Sequence, residues 1–179
     1  MYKAYNKIFW GFMLNFIDIN IGIDIAPDFI GYMLITSALY ELHEQSKLRE
    51  FKIAKYLSIP LIPFSFFSMF LDNTSIYMYN DIAMILITIG MIMNICLIYY
   101  SYNGSLELIE DDMIRGDVKM FRNSYVITNM LFAFVLSLYN FKESSIYTAI
   151  MFIIGGLSFI LAISLLFNLR KIRNSFEPI

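Results

Sequence analysis

The sequence predicts an all-α polytopic membrane protein, with a single domain over residues 1–179, six transmembrane helices and both termini in the cytoplasm. Hydrophobic residues make up 59% of the chain, above the roughly 45–50% of a globular domain. The mean hydropathy is +0.63. Basic residues alternate with the apolar segments in the manner of a multi-pass protein. We therefore expect the chain to lie in the plasma membrane and to interact with the lipid bilayer.

Six apolar segments approach the length of a membrane span. About 20 helical residues cross ~30 Å of hydrocarbon. Segments four and six are long enough to span unaided, whereas the other four need tilt, flanking aromatic residues or local thinning of the bilayer. The segments are Ile8–Gly22, Phe29–Leu42, Tyr56–Leu71, Ile82–Tyr100, Tyr125–Tyr139 and Ile146–Leu169.

The positions of Lys and Arg test this count independently of hydropathy, because cytoplasmic loops retain positive charge. All but one of the 13 basic residues precede segment one or follow segments two, four and six. Only Lys142 falls on the other side. Miscounting by one helix would destroy this alternation, so the pattern predicts six spans with cytoplasmic termini.

Two further features concern individual elements. The stretch from Leu106 to Phe121 has apolar residues at three- and four-residue spacing, which predicts an amphipathic cytoplasmic connector between helices 4 and 5. This connector either lies on the membrane surface or docks a cytoplasmic protein partner. Segment three carries Pro60 and Pro63 in its first turns, where they either delay the start of the helix or kink it. Gly155-Gly156 in segment six predicts a close helix contact.

The most unusual stretch is Phe16 to Gly31, which places three aspartates inside a hydrophobic region. A carboxylate at bilayer depth is costly unless it is paired, hydrated or protonated, so such a residue indicates a candidate site. Gly11, Asn15, Asp18 and Gly22 are spaced to form one helical stripe. At 1.5 Å per residue, Asp18 would lie near the middle of the bilayer.

A rival local interpretation is a strand, because isoleucines alternate with polar residues over 17–25. We favour a helix to about Gly22 and an extended connection from there to Asp24. Asp24 would then cap the second helix, with Pro27 in its first turn and Asp28 near the positive end of its dipole.

Two interpretations of the polar residues stay open. In the first, Asp24 and Asp28 are cap and dipole residues, and Asp18 with Asn15 hydrogen-bonds to Asn94 or Asn129. In the second, they form an outward-facing pocket that binds a small solute or cation as part of a transport system. The outer half of the predicted protein would hold six acids and one base, so Asp18 would be protonated, solvated in an open vestibule, or matched by an external cation or cationic ligand. The pocket residues would be Asn15, Asp18, Asn20, Asp24 and Asp28.

The alternative function is a structural or regulatory membrane subunit without transport activity, bound to a membrane or cytoplasmic protein partner. We expect no enzyme activity, because the sequence has no nucleophile elbow, zinc-binding helix motif or phosphate-binding glycine loop. One histidine and one cysteine predict no metal centre, and we expect no cofactor. The net charge of −2 predicts no nucleic-acid binding.

The run Ile23–Tyr32, sequence IDIAPDFIGY, resembles a segment of small multi-spanning membrane proteins of Gram-positive bacteria, whose activity is not established. The predicted architecture is also similar to that of the substrate-binding subunits of energy-coupling-factor vitamin transporters. That resemblance implies six spans, cytoplasmic termini and a ligand pocket that opens outward. That family docks on its partner through small residues spaced by three on the first helix, a pattern that Gly11 and Asn15 do not reproduce.

Overall fold

The structure, a computed structural model, describes residues 1–16, 28–71, 81–138 and 145–176, and for residues 68–71 and 81–84 it describes the backbone alone. Within these residues the chain forms six α-helices and no β-strand, which confirms the predicted all-α class. The helices are α1 (Tyr2–Phe16), α2 (Asp28–Ser46), α3 (Arg49–Leu71), α4 (Asp81–Leu108), α5 (Asp112–Ser137) and α6 (Ser145–Asn174).

The helices form a closed ring in which each one packs against the next and α6 packs against α1. Neighbouring helices run antiparallel. Lys7 near the start of α1 pairs with Glu41 near the end of α2, and Asp117 near the start of α5 pairs with Lys171 near the end of α6. The chain therefore runs up and down around the ring, and an even number of helices returns both termini to one end.

We call that end the basic end. It holds both termini and the turns after α2 and α4, and there the Tyr5 ring stacks on Phe176 with the ring centroids 5.2 Å apart. Every lysine and arginine except Lys142 lies within about three helical turns of this end. Lys142 lies outside the described residues.

A packed core closes the basic end. Tyr5, Ile8, Leu42, Phe51 and Tyr102 are each at most 1% exposed. The Tyr5 hydroxyl reaches across the ring from α1 to α4 and donates a hydrogen bond to Ser105 Oγ over 2.8 Å. Buried tyrosines of this kind combine a large apolar surface with a satisfied hydroxyl group.

The predicted amphipathic connector between helices 4 and 5 is wrong as a separate element. Residues 112–121 form the first turns of α5, which continues to Ser137, and only three residues separate it from α4. Asp111 caps α5 by accepting hydrogen bonds from the amides of Met113 and Ile114. The apolar spacing reflects burial against protein, because Val118 is fully buried in the core.

Two local expectations also change. Pro60 and Pro63 lie in the interior of α3 rather than in its first turns, because the helix begins at Arg49. The glycine pair of α6 makes no close contact among the described residues. A Cβ at Gly155 would have its nearest neighbour 3.8 Å away, and one at Gly156 would meet nothing within 4 Å.

The outer surface of the ring is apolar beyond the basic end. Large hydrophobic side chains are exposed on all six helices, and on α6 no residue from 145 to 160 is buried. Phe152 is 84% exposed. A soluble monomer rarely exposes apolar patches larger than a few hundred Å². Among the described helices, the ranges Ile85–Leu108 and Ser145–Asn174 are long and apolar enough to cross a membrane, as expected for segments four and six.

Candidate functional site

A cavity of about 150 Å³ lies inside the ring, beyond the packed core of the basic end. Five helices surround it: α1, α2, α4, α5 and α6. Its described lining contains one acid, two amides and two tyrosines, together with apolar groups, and it contains no base. The lining residues are Phe12, Asn15, Phe16, Asp28, Tyr32, Asn94, Ile98, Tyr125, Ala162, Leu165 and Leu166.

A close crossing of α1 and α2 positions two of these polar groups. A Cβ at Gly11 would lie 2.6 Å from Ile35 Cγ1 and 2.7 Å from the Gly31 carbonyl oxygen. A Cβ at Gly31 would overlap the Asn15 side chain and lie 2.5 Å from the Gly11 carbonyl oxygen. Only glycine permits this approach, which brings the end of α1 against the start of α2.

Asn15 stabilises this crossing by hydrogen bonds to both helices. With its carboxamide oriented so that the nitrogen faces two carbonyl oxygens, it donates to Asp28 O over 3.0 Å and to Gly11 O over 3.1 Å. The Tyr32 hydroxyl also forms a hydrogen bond with the Asn15 side chain. The amide that the sequence places in a ligand pocket therefore supports the pocket by holding its walls together.

Asp28 is the first residue of α2 and lines the cavity. The predicted proximity to the positive end of the helix dipole is confirmed, since the residue lies in the first turn. Unbonded amides at a helix N-terminus favour a negative charge there. The residue therefore combines a position in the first turn of α2 with a place in the cavity lining.

Asn94 extends the polar lining to α4. Its Oδ1 atom is buried and has no hydrogen-bond partner among the residues that the structure describes. Leaving such an acceptor unsatisfied costs ~1–3 kcal/mol. Asn129, the other asparagine considered as a partner, instead donates to Tyr125 O on its own helix over 2.9 Å.

The structure brings together two of the five predicted pocket residues, Asn15 and Asp28. Asp18, Asn20 and Asp24 lie outside the described residues, and so do the predicted helix end at Gly22 and the cap at Asp24. Pro27, predicted in the first turn of the second helix, also lies outside the described residues.

Sequence reasoning did not place Tyr32, Asn94 and Tyr125 in the pocket. Asn94 had a usable signal, since it is a polar residue in the middle of an uncharged run of α4. Tyr125 had none. It lies halfway along α5, where it packs against Phe121 with the ring centroids 5.9 Å apart.

No protein-family model matches the chain, and neither does any curated protein or solved structure.

Proposed function

We propose that the chain is a six-span plasma-membrane protein with cytoplasmic termini, whose cavity opens outward and binds a small solute as part of a transport system. The distribution of charge along the helices supports the six spans. Every helix contains an uncharged stretch, and neighbouring stretches lie side by side in the ring. The stretches are residues 8–16, 29–40, 56–71, 82–106, 123–138 and 145–169.

The height of this uncharged band on α3 and α5 is somewhat less than that of the hydrocarbon region of a bilayer. Sixteen residues of α3 and fifteen of α5 rise about 22–24 Å at 1.5 Å per residue, against ~30 Å for the hydrocarbon region. Tilt and snorkelling side chains accommodate such a difference at modest cost. Lys55 shows the arrangement at the boundary, with its ammonium 4.7 Å from the centroid of the Tyr56 ring.

The basic end supports the orientation. Positive charge is retained on the cytoplasmic side, and nearly all of it lies at the end that holds both termini. The described polar contacts there tie helices together: Lys7 with Glu41, Asp117 with Lys171, and Arg173 with Asn6 over 2.9 Å. The opposite end, toward which the cavity lies, would therefore face the outside.

The observation that carries the proposal is a polar cavity at the level of the uncharged band. Polar and ionisable groups at membrane depth are expensive and usually mark solute or ion pathways. Here the polar residues Asp28 and Tyr32 of α2, Asn94 of α4 and Tyr125 of α5 line one space. Small-molecule sites combine mostly apolar walls with a few convergent polar groups in this way.

Identification of the retained solute tests the proposal. The protein purified from its native membrane is expected to carry a small molecule detectable by mass spectrometry. Asn94→Leu removes a polar side chain from the cavity lining and should lower the retained amount by about tenfold or more, which corresponds to ~1.4 kcal/mol. Asn129→Leu is the matched control, because Asn129 does not line the cavity. Equal retention in both variants, or none in the wild type, would count against the proposal.

The surface of α6 favours a second candidate function, a subunit of a larger membrane complex without transport activity. Gly156 leaves open space on an exposed helix face, and small residues of this kind permit close helix pairing in membranes. If this candidate is correct, Gly156→Leu should abolish a co-purifying protein while Asn94→Leu leaves solute content unchanged.

A further inference from the structure

We propose that a groove between α5 and α6 binds one phospholipid of the cytoplasmic leaflet whose head group carries a primary amine, as in phosphatidylethanolamine. The groove has a volume of about 510 Å³, and residues of these two helices line it. The inference relies on the membrane placement in the proposed function. It does not rely on the solute cavity, because no residue lines both spaces.

The groove has the depth of one leaflet of a bilayer. Lys171 and Asp117 line its mouth at the basic end, and Leu161 lines its far part. The uncharged stretches of α5 and α6 begin at residue 123 and end at residue 169, so the mouth lies at the boundary of the uncharged band. From Lys171 to Leu161 the helix rises about 15 Å at 1.5 Å per residue, about half of the ~30 Å hydrocarbon region.

The walls beyond the mouth suit an acyl chain. Phe121 belongs to the packed core, whereas Met120 and Phe167 are 68% and 66% exposed where the groove opens on the outer surface of the ring. The Ser164 hydroxyl donates to the Ile160 carbonyl oxygen of its own helix over 2.9 Å, so it adds little polarity to the groove. Since a cavity of ~150 Å³ holds benzene, about 510 Å³ accommodates roughly 20 non-hydrogen atoms, the size of one acyl chain.

The mouth combines one positive and one negative side chain. Lys171 donates to Asp117, and the two side chains remain 40% and 52% exposed. An ammonium group has three donors and a carboxylate has about four acceptor sites. Each group can therefore bind a second partner while their own contact stays. A zwitterionic head group complements both, because its phosphate accepts from Lys171 and its primary ammonium donates to Asp117.

The acid at the mouth distinguishes between head groups. Basic pockets between membrane helices on the cytoplasmic side bind anionic head groups, but here Asp117 would repel a second negative charge. A choline head group carries the positive charge without an N–H donor. Hydrogen bonds between charged groups are roughly twice as strong as neutral ones. The mouth should therefore prefer a primary amine to both a choline and an anionic head group.

Asn168 lies between the mouth and the apolar walls. Its Nδ2 atom donates one N–H to the Ser164 carbonyl oxygen of its own helix over 3.0 Å, and the side-chain amide has a second N–H to donate. Asn168 lies about 4.5 Å from Lys171 along the axis of α6. The ester carbonyls of a phospholipid follow its phosphate at a similar depth, so they are suitable acceptors for this second N–H.

The test uses the purified full chain in detergent micelles, with native mass spectrometry to count bound lipids and thermal unfolding to measure stabilisation. The probes are phosphatidylethanolamine, phosphatidylcholine and phosphatidylglycerol with identical dioleoyl chains, so the contribution of the acyl chains is the same. We expect one phosphatidylethanolamine to bind saturably and about tenfold more tightly than the other two lipids. Equal binding of the three lipids, or tightest binding of phosphatidylglycerol, would overturn the inference.

Variants connect the preference to the mouth. Asp117→Asn should abolish the preference for phosphatidylethanolamine over phosphatidylcholine, and Lys171→Gln should weaken all three lipids, because each carries a phosphate. Glu41→Gln is the matched control, since it removes the ion pair of Glu41 with Lys7 at the same end but outside the groove. This control should keep the preference. Its persistence in Asp117→Asn would overturn the inference.

Ser124→Phe supplies a second check if Asp117→Asn does not fold. Ser124 is exposed on α5 and lines the groove, so a phenyl ring there would fill the groove without removing a core contact. We expect the binding of all three lipids to fall by about tenfold or more. Unchanged lipid binding in this variant would show that the lipid lies elsewhere and would overturn the inference.

The outcomes separate this inference from the proposed function. If the three lipids bind alike while the wild type retains a solute that Asn94→Leu loses, the lipid site is wrong and solute binding stands. If phosphatidylethanolamine is preferred while no solute is retained, the lipid site stands and the transport proposal fails. A chain found outside the membrane fraction would contradict both.

Discussion

Replacing Gly31 by alanine is expected to lower the free energy of unfolding by about 1–3 kcal/mol, the usual range for overpacking a tight contact. The new Cβ would overlap the Asn15 side chain and press on the Gly11 carbonyl oxygen at 2.5 Å. α1 and α2 would have to separate, which also breaks the bonds that Asn15 makes to both helices. Equilibrium unfolding in detergent micelles measures the change.

Gly156→Ala is the matched control for this substitution. Both glycines lie inside helices, so alanine brings the same gain in helix propensity at each position. At Gly156 the added Cβ meets nothing within 4 Å. The difference between the two variants therefore isolates the α1–α2 contact. Equal stability of Gly31→Ala and Gly156→Ala would contradict the close crossing.

Replacing Tyr5 by alanine should have the larger effect, a loss of about 3–5 kcal/mol in the free energy of unfolding, as for other large aromatic residues in cores. Tyr5 is 1% exposed, its hydroxyl bonds to Ser105 Oγ, and its ring stacks on Phe176. The substitution removes the hydrogen bond from α1 to α4 across the ring of helices, and it removes the packing of Tyr5 against Phe176. The same unfolding measurement applies.

Two variants define what Tyr5 contributes. Tyr5→Phe keeps the ring and removes the hydroxyl, so it should cost only ~1 kcal/mol. Tyr56→Ala removes a tyrosine that is 57% exposed and should lower the free energy of unfolding far less. If Tyr5→Ala were as stable as Tyr56→Ala, the packed core at the basic end would be wrong.

The helices were predictable because the segments that form them are long and strongly apolar. The alternation of Lys and Arg was equally informative, since it required an up-and-down path with both termini together, as the ring has. The connector was not predictable by the same means. An apolar stripe at helical spacing indicates that one face of a helix is buried, but it does not show whether protein or lipid contacts that face. Val118 is buried against protein.

The cavity was predictable in part. A local polar stretch identified Asn15 and Asp28, because charged and amide groups in an apolar region are conspicuous. Tyr32 and Tyr125 join the cavity through long-range packing of α2 and α5, which spacing along the chain does not encode. The role of Asn15 also depends on how α1 packs on α2, because only the close crossing at the two glycines places two carbonyl oxygens within reach of its amide.

The central claim is that water and solutes reach the cavity from outside the cell. The direct measurement is thiol labelling of Asn94→Cys, in a Cys96→Ala background, with a charged reagent that does not cross membranes. Ile92→Cys is the control, since Ile92 lies two residues away on the exposed apolar surface of α4 and would face lipid, where a thiol does not form the reactive thiolate.

On intact cells the account predicts that the reagent labels Asn94→Cys and leaves Ile92→Cys unlabelled. The natural solute should slow the labelling. Labelling of Asn94→Cys in inverted vesicles alone, or its complete protection in both preparations, would contradict an outward-opening cavity.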